Sequence, residues 1–535
     1  MPAILYPLPK IVKKFNTIVF SGGTGSKLVI EHASLSCMFP PPVRKLMRVS
    51  FILFVLGLWS CAPAASDAVG NTAILLIKNV SIVDTKQGRV VSDQSVVVKG
   101  NRISAVGSSN EIDEPPGART VDGSGKYLIP GLWDMHVHTS SDRVSRDAIL
   151  PLFIANGVTG VRSMAADCIA ENGGCGEPVT TIDQVRVWQA EIAAESLIGP
   201  RVVASSYYTN GPESEAGSTI YNPATAEHGR AYARLLKDRG VDLIKVYSGM
   251  YRDAYFAMAD EANTLGLPIA GHVPLAVRAS EASGAGQQSI EHITGFLEEC
   301  STEETSLRPQ IMTAYSEPSE FWGLLIRMTE TFSEERCAAL YSQLVQNGTW
   351  HVPTLNVDAF SDQLESPRRD WQDDEHMRYV PREEAELWDQ LERTYFAGIT
   401  DYKTALQPHF HKSFEITSAT YAAGVPILAG SDSGEYGIIW GFSLHRELEL
   451  LVEAGLTDAD ALRAATINPA VFLDMTTSLG TIEEGKLADL VLLNANPLDD
   501  ISNTQTISAV IADGRLFDRE GLDKLLEQIE SAVSK

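Results

Sequence analysis

Ile129-Pro130-Gly131-Leu132-Trp133-Asp134-Met135-His136-Val137-His138 reads as a turn followed by a buried strand ending in two histidines. Side chains alternate faces along a strand, so His136 and His138 project the same way from its end. Two imidazoles so placed can grip one cation. A His-x-His pair taken alone is a weak signal, because ordinary strands carry the same spacing by chance. Its weight depends on whether the remaining chain brings further ligands to the same level.

Outward from this stretch, residues 131–470 alternate apolar strand-like runs with amphipathic ones, the pattern of a parallel sheet with crossover helices. Eight runs qualify as strands: Leu132–His138, Gly157–Ser163, Arg201–Ser206, Asp242–Ser248, Pro268–His272, Ser289–Ile293, Trp350–Leu355 and Pro426–Asp432. Ala224–Arg239 and Arg252–Leu265 are helical in pattern. The expected fold is α/β, a (β/α)8 TIM barrel whose chemistry sits where its strands end. Polar residues do cluster there: His136 and His138 on the first strand, Lys245 late in the fourth, His272 on the fifth, His292 on the sixth and Asp432 on the eighth. Each has a plain alternative, a snorkelling lysine or a satisfied core histidine. Six on one rim predict a metal site.

On either side the pattern changes to short alternating strands with Gly, Asn and Asp turns. Residues 72–130 and 479–520 are expected to form a small β-sandwich domain built from both termini. Two long connections, 294–348 and 356–421, leave the barrel rim and are expected to form lid insertions. The alternative for the second is a solvated surface excursion.

The 535 residues carry a formal charge of -26 with no basic stripe, which argues against nucleic acid as a partner. A small-molecule substrate is expected, and the composition leaves room for a homo-oligomer. Arg44, Lys45 and Arg48 precede the apolar run 51–59 and then Ser60-Cys61-Ala62, the layout of a signal peptide. The run is too short to span a bilayer. Residues 47–61 are read as this signal and 1–46 as a mis-assigned upstream extension, with the start at Met38 or Met47. Leu58-Trp59-Ser60-Cys61 resembles a bacterial lipobox, with Trp59 where a small residue is usual, and Cys61 would carry the lipid. The expected location is therefore the bacterial periplasm, free or as a membrane-anchored lipoprotein. Of six cysteines, Cys168, Cys175, Cys300 and Cys337 remain after the signal. In an oxidising compartment an even set suggests disulfides, Cys168 with Cys175 and Cys300 with Cys337. Four free thiols are the alternative.

The ordered motifs resemble those of the amidohydrolase superfamily of metal-dependent hydrolases, in its imidazolonepropionase-like and prolidase-like branch. The matching pieces are Pro130–His138, Ile244-Lys245-Val246-Tyr247, Gly271-His272-Val273-Pro274, Ser289-Ile290-Glu291-His292, Ala429-Gly430-Ser431-Asp432, Ala464–Ala470 and Gly485–Leu490. The resemblance implies two divalent metal ions, with His136, His138 and Asp432 on the more buried one and His272 and His292 on the second. It also implies a carboxylated Lys245 bridging the two. One metal beside an unmodified Lys245 is the alternative. Imidazole and carboxylate ligands suit zinc best.

In such a site a metal-bridging hydroxide attacks a carbonyl, and Asp432 is the expected general base and acid. Tyr247 lies on the strand face of Lys245 and is a candidate donor to the oxyanion or to a substrate carboxylate, unless it simply packs in the barrel. His445, just past the last strand, is a candidate substrate contact or a local cap. The expected reaction is cleavage of an amide C–N bond in a dipeptide or N-acyl amino acid. Opening of a cyclic amide and cleavage of a carbamate, ester or lactone are alternatives. The resemblance speaks against nucleobase deamination, which in this superfamily uses a Glu where this chain has Leu275. A non-catalytic binding lipoprotein is the reading of a different class.

Overall fold

β1 (Ile74–Asp84) opens the described chain and is less regular than its apolar alternation suggests. Two register shifts, between Ile77 and Val80 and between Val80 and Ile82, interrupt its ladder with β2 (Arg89–Lys99). β2 pairs in turn with β3 (Arg102–Ser108). On the other edge of β1 the shifts accommodate two successive partners: β4 (Arg119–Asp122) along Leu75–Lys78, and β5 (Tyr127–Pro130) at Ser81 and Ile82. The computed structural model describes residues 74–169, 180–212, 222–357, 374–395 and 402–534. The expected signal peptide and upstream extension, with Met38, Met47 and Cys61, lie outside these residues, as does Cys175.

Next come seven strands, all paired in parallel. β6 (Leu132–Val137), β7 (Val158–Ser163) and β8 (Arg201–Ala204) form one sheet. β9 (Ile244–Val246), β10 (Ile269–Gly271), β11 (Gln287–Glu291) and β12 (Trp350–Val352) form a second. The expected barrel therefore does not emerge as one continuous ladder. Isolated parallel bridges run between the two sheets at Ser205–Leu243 and Thr209–Val246.

The eighth expected strand, 426–432, forms no continuous ladder: isolated bridges at His351–Ile427 and Val137–Ser433, and backbone bonds from Leu428 N–H to the His351 carbonyl, from Met135 N–H to the Ala429 carbonyl and from Asp432 N–H to the His136 carbonyl, tie it to β12 and β6. The reason is local. The N–H of Ala429 donates to the Ala464 carbonyl, the N–H of Ser431 donates to the Asp134 carboxylate, and Asp432 has φ 60. A ladder interrupted by side-chain acceptors and a left-handed residue does not propagate.

Crossover helices cover the strands. Ala226–Arg239 starts on Thr225, whose hydroxyl accepts the His228 N–H, and ends on Gly240 at φ 78, a conformation glycine adopts without steric cost. With Arg252–Leu265 it buries Tyr232, Leu236, Tyr255 and Met258. The connection 294–348 is helical almost throughout, and Cys300 and Cys337 bridge two of its helices. Cys168 is also disulfide-bonded. In the connection 356–421, the described helix Arg382–Tyr395 reaches the segment after Asp432, where the Trp388 indole donates to the Gly434 carbonyl at 3.0 Å.

β13 (Leu490–Leu493), β14 (Ile507–Ala512) and β15 (Arg515–Asp518) return to the first sheet, β13 lying between β5 and β14. The strands of the two chain ends thus form one hydrogen-bonded eight-stranded sheet. The bulged β1 is what joins its parts. Ile77, Val96, Val98, Leu128, Leu490 and Ile511 fill its own apolar core.

Candidate metal centre

The C-terminal ends of β6, β9, β10 and β11, with the 426–433 segment, bring His136, His138, Lys245, His272, His292 and Asp432 together, all buried. The His136 ring lies 5.4 Å from His138 and 5.1 Å from His292, and His272 lies 4.9 Å from His292. Asp432 Oδ1 is 3.0 Å from His138 Nε2 and 3.3 Å from His136 Nε2. Lys245 Nζ is 3.5 Å from His136 Nε2.

Each imidazole turns its Nδ1 outward to a neighbour. His136 Nδ1 donates to Glu291 Oε2 at 3.0 Å, and His272 Nδ1 meets Ser248 Oγ at 2.8 Å. His292 Nδ1 meets Thr354 Oγ1, whose own hydrogen goes to the Pro353 carbonyl. That hydroxyl can only accept, so His292 carries its proton on Nδ1 and holds a lone pair on Nε2. Tyr208 OH lies 3.4 Å from His138 Nδ1. Among the described residues His272 Nε2, His292 Nε2 and Asp432 Oδ2 have no hydrogen-bond partner.

Buried polar atoms are nearly always satisfied, so three orphaned lone pairs in one place call for an explanation. At His136 the Nε2 lone pair faces a carboxylate oxygen, which is repulsive unless a positive charge intervenes. Burial, and next the charge of Lys245, lower the His136 pKa to about 4, and His272 and His292 are pushed well down chiefly by burial. Burial would raise Asp432, but the charges of His136, His138 and His292 and the His138 hydrogen bond outweigh it and hold the carboxyl well below its usual range. Neutral imidazoles fixed through Nδ1 and an ionised carboxylate are the donor set a divalent cation takes. His136, His292 and Asp432 form one group of convergent ligand atoms, and His138, Asp432 and Glu435 another. Burial lowers Lys245 to about 8, bringing the neutral amine within reach near neutral pH.

Behind this group lies a layer that the sequence reading left without a role. Arg162 donates from Nη2 to both Glu291 oxygens at 2.9 Å, and from Nε and Nη1 to the Met135 carbonyl and Ser289 Oγ. Burial would raise Glu291, yet Arg162 and then His136 hold it well below the carboxylate range. Strand alternation would send Glu291 and His292 to opposite faces. The left-handed φ of 59 at His292 cancels that alternation, and both side chains address His136. Thr354, just past β12, and Asp432, in the 426–433 segment, repeat the left-handed conformation at φ 50 and 60. Asp134 holds the eighth segment in place by accepting from Ser431 N at 2.9 Å and from Ser431 Oγ.

The Tyr247 ring packs 4.3 Å from His272 and 4.8 Å from Tyr208, beside the cluster. His445 is elsewhere, and its assignment as a substrate contact is corrected. Its Nδ1 bonds Thr504 Oγ1 at 2.9 Å and its Nε2 the Asn156 carbonyl at 3.0 Å, before β7 starts and away from the strand ends. The ring ties helix Phe442–Glu453 to that lower face, the local-cap alternative.

Residues 412–517 match the amidohydrolase family. An imidazolonepropionase of Rubrobacter xylanophilus is 46% identical over 61 residues, 11% of this chain and 15% of that protein. An adenine deaminase of Staphylothermus marinus is 31% identical over 91 residues, 17% of this chain and 15% of that one. The chain thus spans about a seventh of the length of these curated relatives. In structure it is similar to a protein described as a prolidase from Bifidobacterium longum. The TM-score is 0.59 at 24% identity, covering 86% of this chain and 99% of that one. The resemblance read from the motifs is borne out.

Proposed function

We propose that this protein is a metal-dependent hydrolase that cleaves an amide C–N bond in a dipeptide or N-acyl amino acid. One observation carries the reading: three buried, unpartnered lone pairs on His272, His292 and Asp432 converge with two further histidines and a lysine of depressed pKa. The likeness to a prolidase-described fold supports the substrate class.

The two parallel sheets and the 426–433 segment are read as arcs of one (β/α)8 barrel. The bridges at Ser205–Leu243, His351–Ile427 and Val137–Ser433 support that closure. Residues 72–130 with 479–520, and 131–470, are read as its two domains, with 294–348 and 356–421 overhanging the strand ends.

His136, His138 and Asp432 would hold one divalent ion and His272 and His292 a second, with Lys245, carboxylated, between them. Zinc fits these ligands best. When bound, such ions supply Lewis-acid polarisation of the carbonyl and an acidified water. The chain's own residues do the rest. Glu291, Ser248 and Thr354 fix the imidazole tautomers. Asp432 Oδ2, which has no hydrogen-bond partner among the described residues, takes the proton of the attacking water and returns it to the departing nitrogen. Tyr247, packed 4.3 Å from His272, orients the substrate. Export under the signal at 47–61, with a lipid on Cys61, completes the proposal.

Opening of a cyclic amide is a second reading, favoured by the segment shared with an imidazolonepropionase. Zinc-loaded protein in bicarbonate, offered dipeptides, N-acyl amino acids and cyclic amides and read by mass spectrometry, separates the two. Cleavage of a coherent set of linear amides is expected. A fully metallated sample that opens only rings would replace the first reading by the second.

A further inference from the structure

The turn after Asp432 carries an acid that the two-ion ligand scheme leaves out. Glu435 is 8% exposed, and a carboxylate oxygen of it lies within 4.8 Å of ligand atoms of both His138 and Asp432. Among the described residues no ion pair or side-chain hydrogen bond engages that carboxylate, and Asp432, His138 and Lys245 reach it through charge alone. The backbone fixes its place. Glu435 N–H donates to the Asp432 carbonyl at 3.2 Å, Ile438 N–H to the Glu435 carbonyl at 3.0 Å, and Gly434 N–H to the Ile438 carbonyl at 3.1 Å. The Trp440 indole donates to the His138 carbonyl at 2.7 Å and ties the same turn to the first ligand strand.

Depth separates the residues of the centre. His136, His292 and Asp432 are at most 2% exposed, whereas His138 and Glu435 keep 9% and 8%. Glu435 therefore stands on the shallow side of the ligand group, where a bound molecule meets it first. A rigidly held carboxylate with no donor of its own is an acceptor that a ligand can satisfy. The scissile carbonyl of the proposed reaction sits at this centre, and the α-ammonium of a dipeptide is one carbon away from that carbonyl. An N-acyl amino acid has no such group, and it would cover Glu435 without offering it a donor.

We propose that Glu435 receives the free α-ammonium of the substrate and so selects dipeptides over N-acyl amino acids. The proposal rests on the hydrolase reading of the adjoining ligands and deepens it by choosing between the two substrate classes that reading leaves open.

The test compares alanyl-leucine with isobutyryl-leucine, in which a methyl replaces the ammonium, on the full metallated chain and on Glu435→Gln. Metal content is measured in both. A charged hydrogen bond in a water-poor site predicts kcat/KM about tenfold or more in favour of alanyl-leucine. Glu435→Gln should bring that ratio to about one at equal metal content, and Glu435→Asp, which keeps the charge but draws it back, should fall between. A ratio that Glu435→Gln does not change overturns the assignment while leaving the hydrolase standing. Loss of metal from Glu435→Gln would make Glu435 a ligand and equally overturn it. If neither compound is cleaved, calorimetric titration of the metallated chain with alanine hydroxamate and isobutyric hydroxamate decides. A tenfold preference for the alanine compound that Glu435→Gln abolishes keeps the ammonium site and removes the peptidase reading. Equal or undetectable affinities overturn the proposal.

Discussion

At the scale of single residues, the centre depends on groups that never face a substrate. Arg162 and Glu291 are a fully buried ion pair whose carboxylate also fixes His136. Removing one partner of such a pair strands the other charge. Arg162→Ala should therefore cost about 3–5 kcal/mol in chemical denaturation, and an unchanged urea midpoint would show the pair to be idle. Asp432→Asn keeps the shape and loses the proton acceptor, so turnover should vanish while the circular dichroism spectrum is retained. Residual turnover near the unsubstituted rate would take Asp432 out of the chemistry. Thr354→Ala frees His292 Nδ1 and should weaken metal binding about 10–100-fold by titration. His445 gives a pH signature instead. Burial depresses its pKa from 6.5 to about 4, so its contribution to stability is complete above pH 6.5. Below that the unfolded chain takes up a proton that the folded one refuses, and the contribution is lost as pH falls toward 4. His445→Gln should flatten the fall of Tm across that window; an unaltered slope would contradict the assignment.

The histidine pair was legible because strand period alone puts His136 and His138 on one face, and the six rim residues could be read from strand ends. Glu291 was not, since its neighbour His292 breaks that period through a backbone turn no composition announces. Arg162 contributes from a strand far away in sequence. His445 misled because nearness in sequence to Asp432 does not survive helix Phe442–Glu453, which carries it to the opposite face.

Among elements, the loop after Asp432 is held by close approach. A Cβ on Gly434, at φ 104, would lie 2.9 Å from both the Cβ and the carbonyl of His138. Gly434→Ala should lower metal occupancy, activity and Tm together. A large Tm loss at full occupancy would mean that the loop serves folding and not the centre. The Cys300–Cys337 bridge closes a sequence separation of 37, and loop-closure entropy assigns it about 4 kcal/mol. Replacing both cysteines by serine should reduce stability by up to that amount in denaturant. The strand pattern located seven of eight barrel stretches within a few residues. At 426–432 the apolar run does lie against β12 and β6, but Ala464 and Asp134 take the N–H groups of Ala429 and Ser431, and no continuous ladder forms.

For the whole molecule, the first sheet is completed only by β13, which pairs with β5 on one side and β14 on the other. A chain ending at residue 480 would leave β5 with an open edge beside apolar Leu128 and Ile129. Such edges recruit other chains. The truncated protein should be recovered in aggregates, and a soluble, metal-binding product would refute the structural role assigned to β13. That both ends contribute strands was readable from matching Gly-bounded alternation. Their union in one sheet was not, because the bulges in β1 leave no mark on its hydrophobic pattern.

The position of β13 also sets a timetable. A ribosome delivers β1 to β5 first and must finish every strand and helix of the metal-binding region before β5 meets β13. For that interval the nascent chain carries an unclosed β-edge, and the final zipping step brings the earliest and latest segments together. Whatever escorts the chain during synthesis has to shield that edge until the last strands arrive.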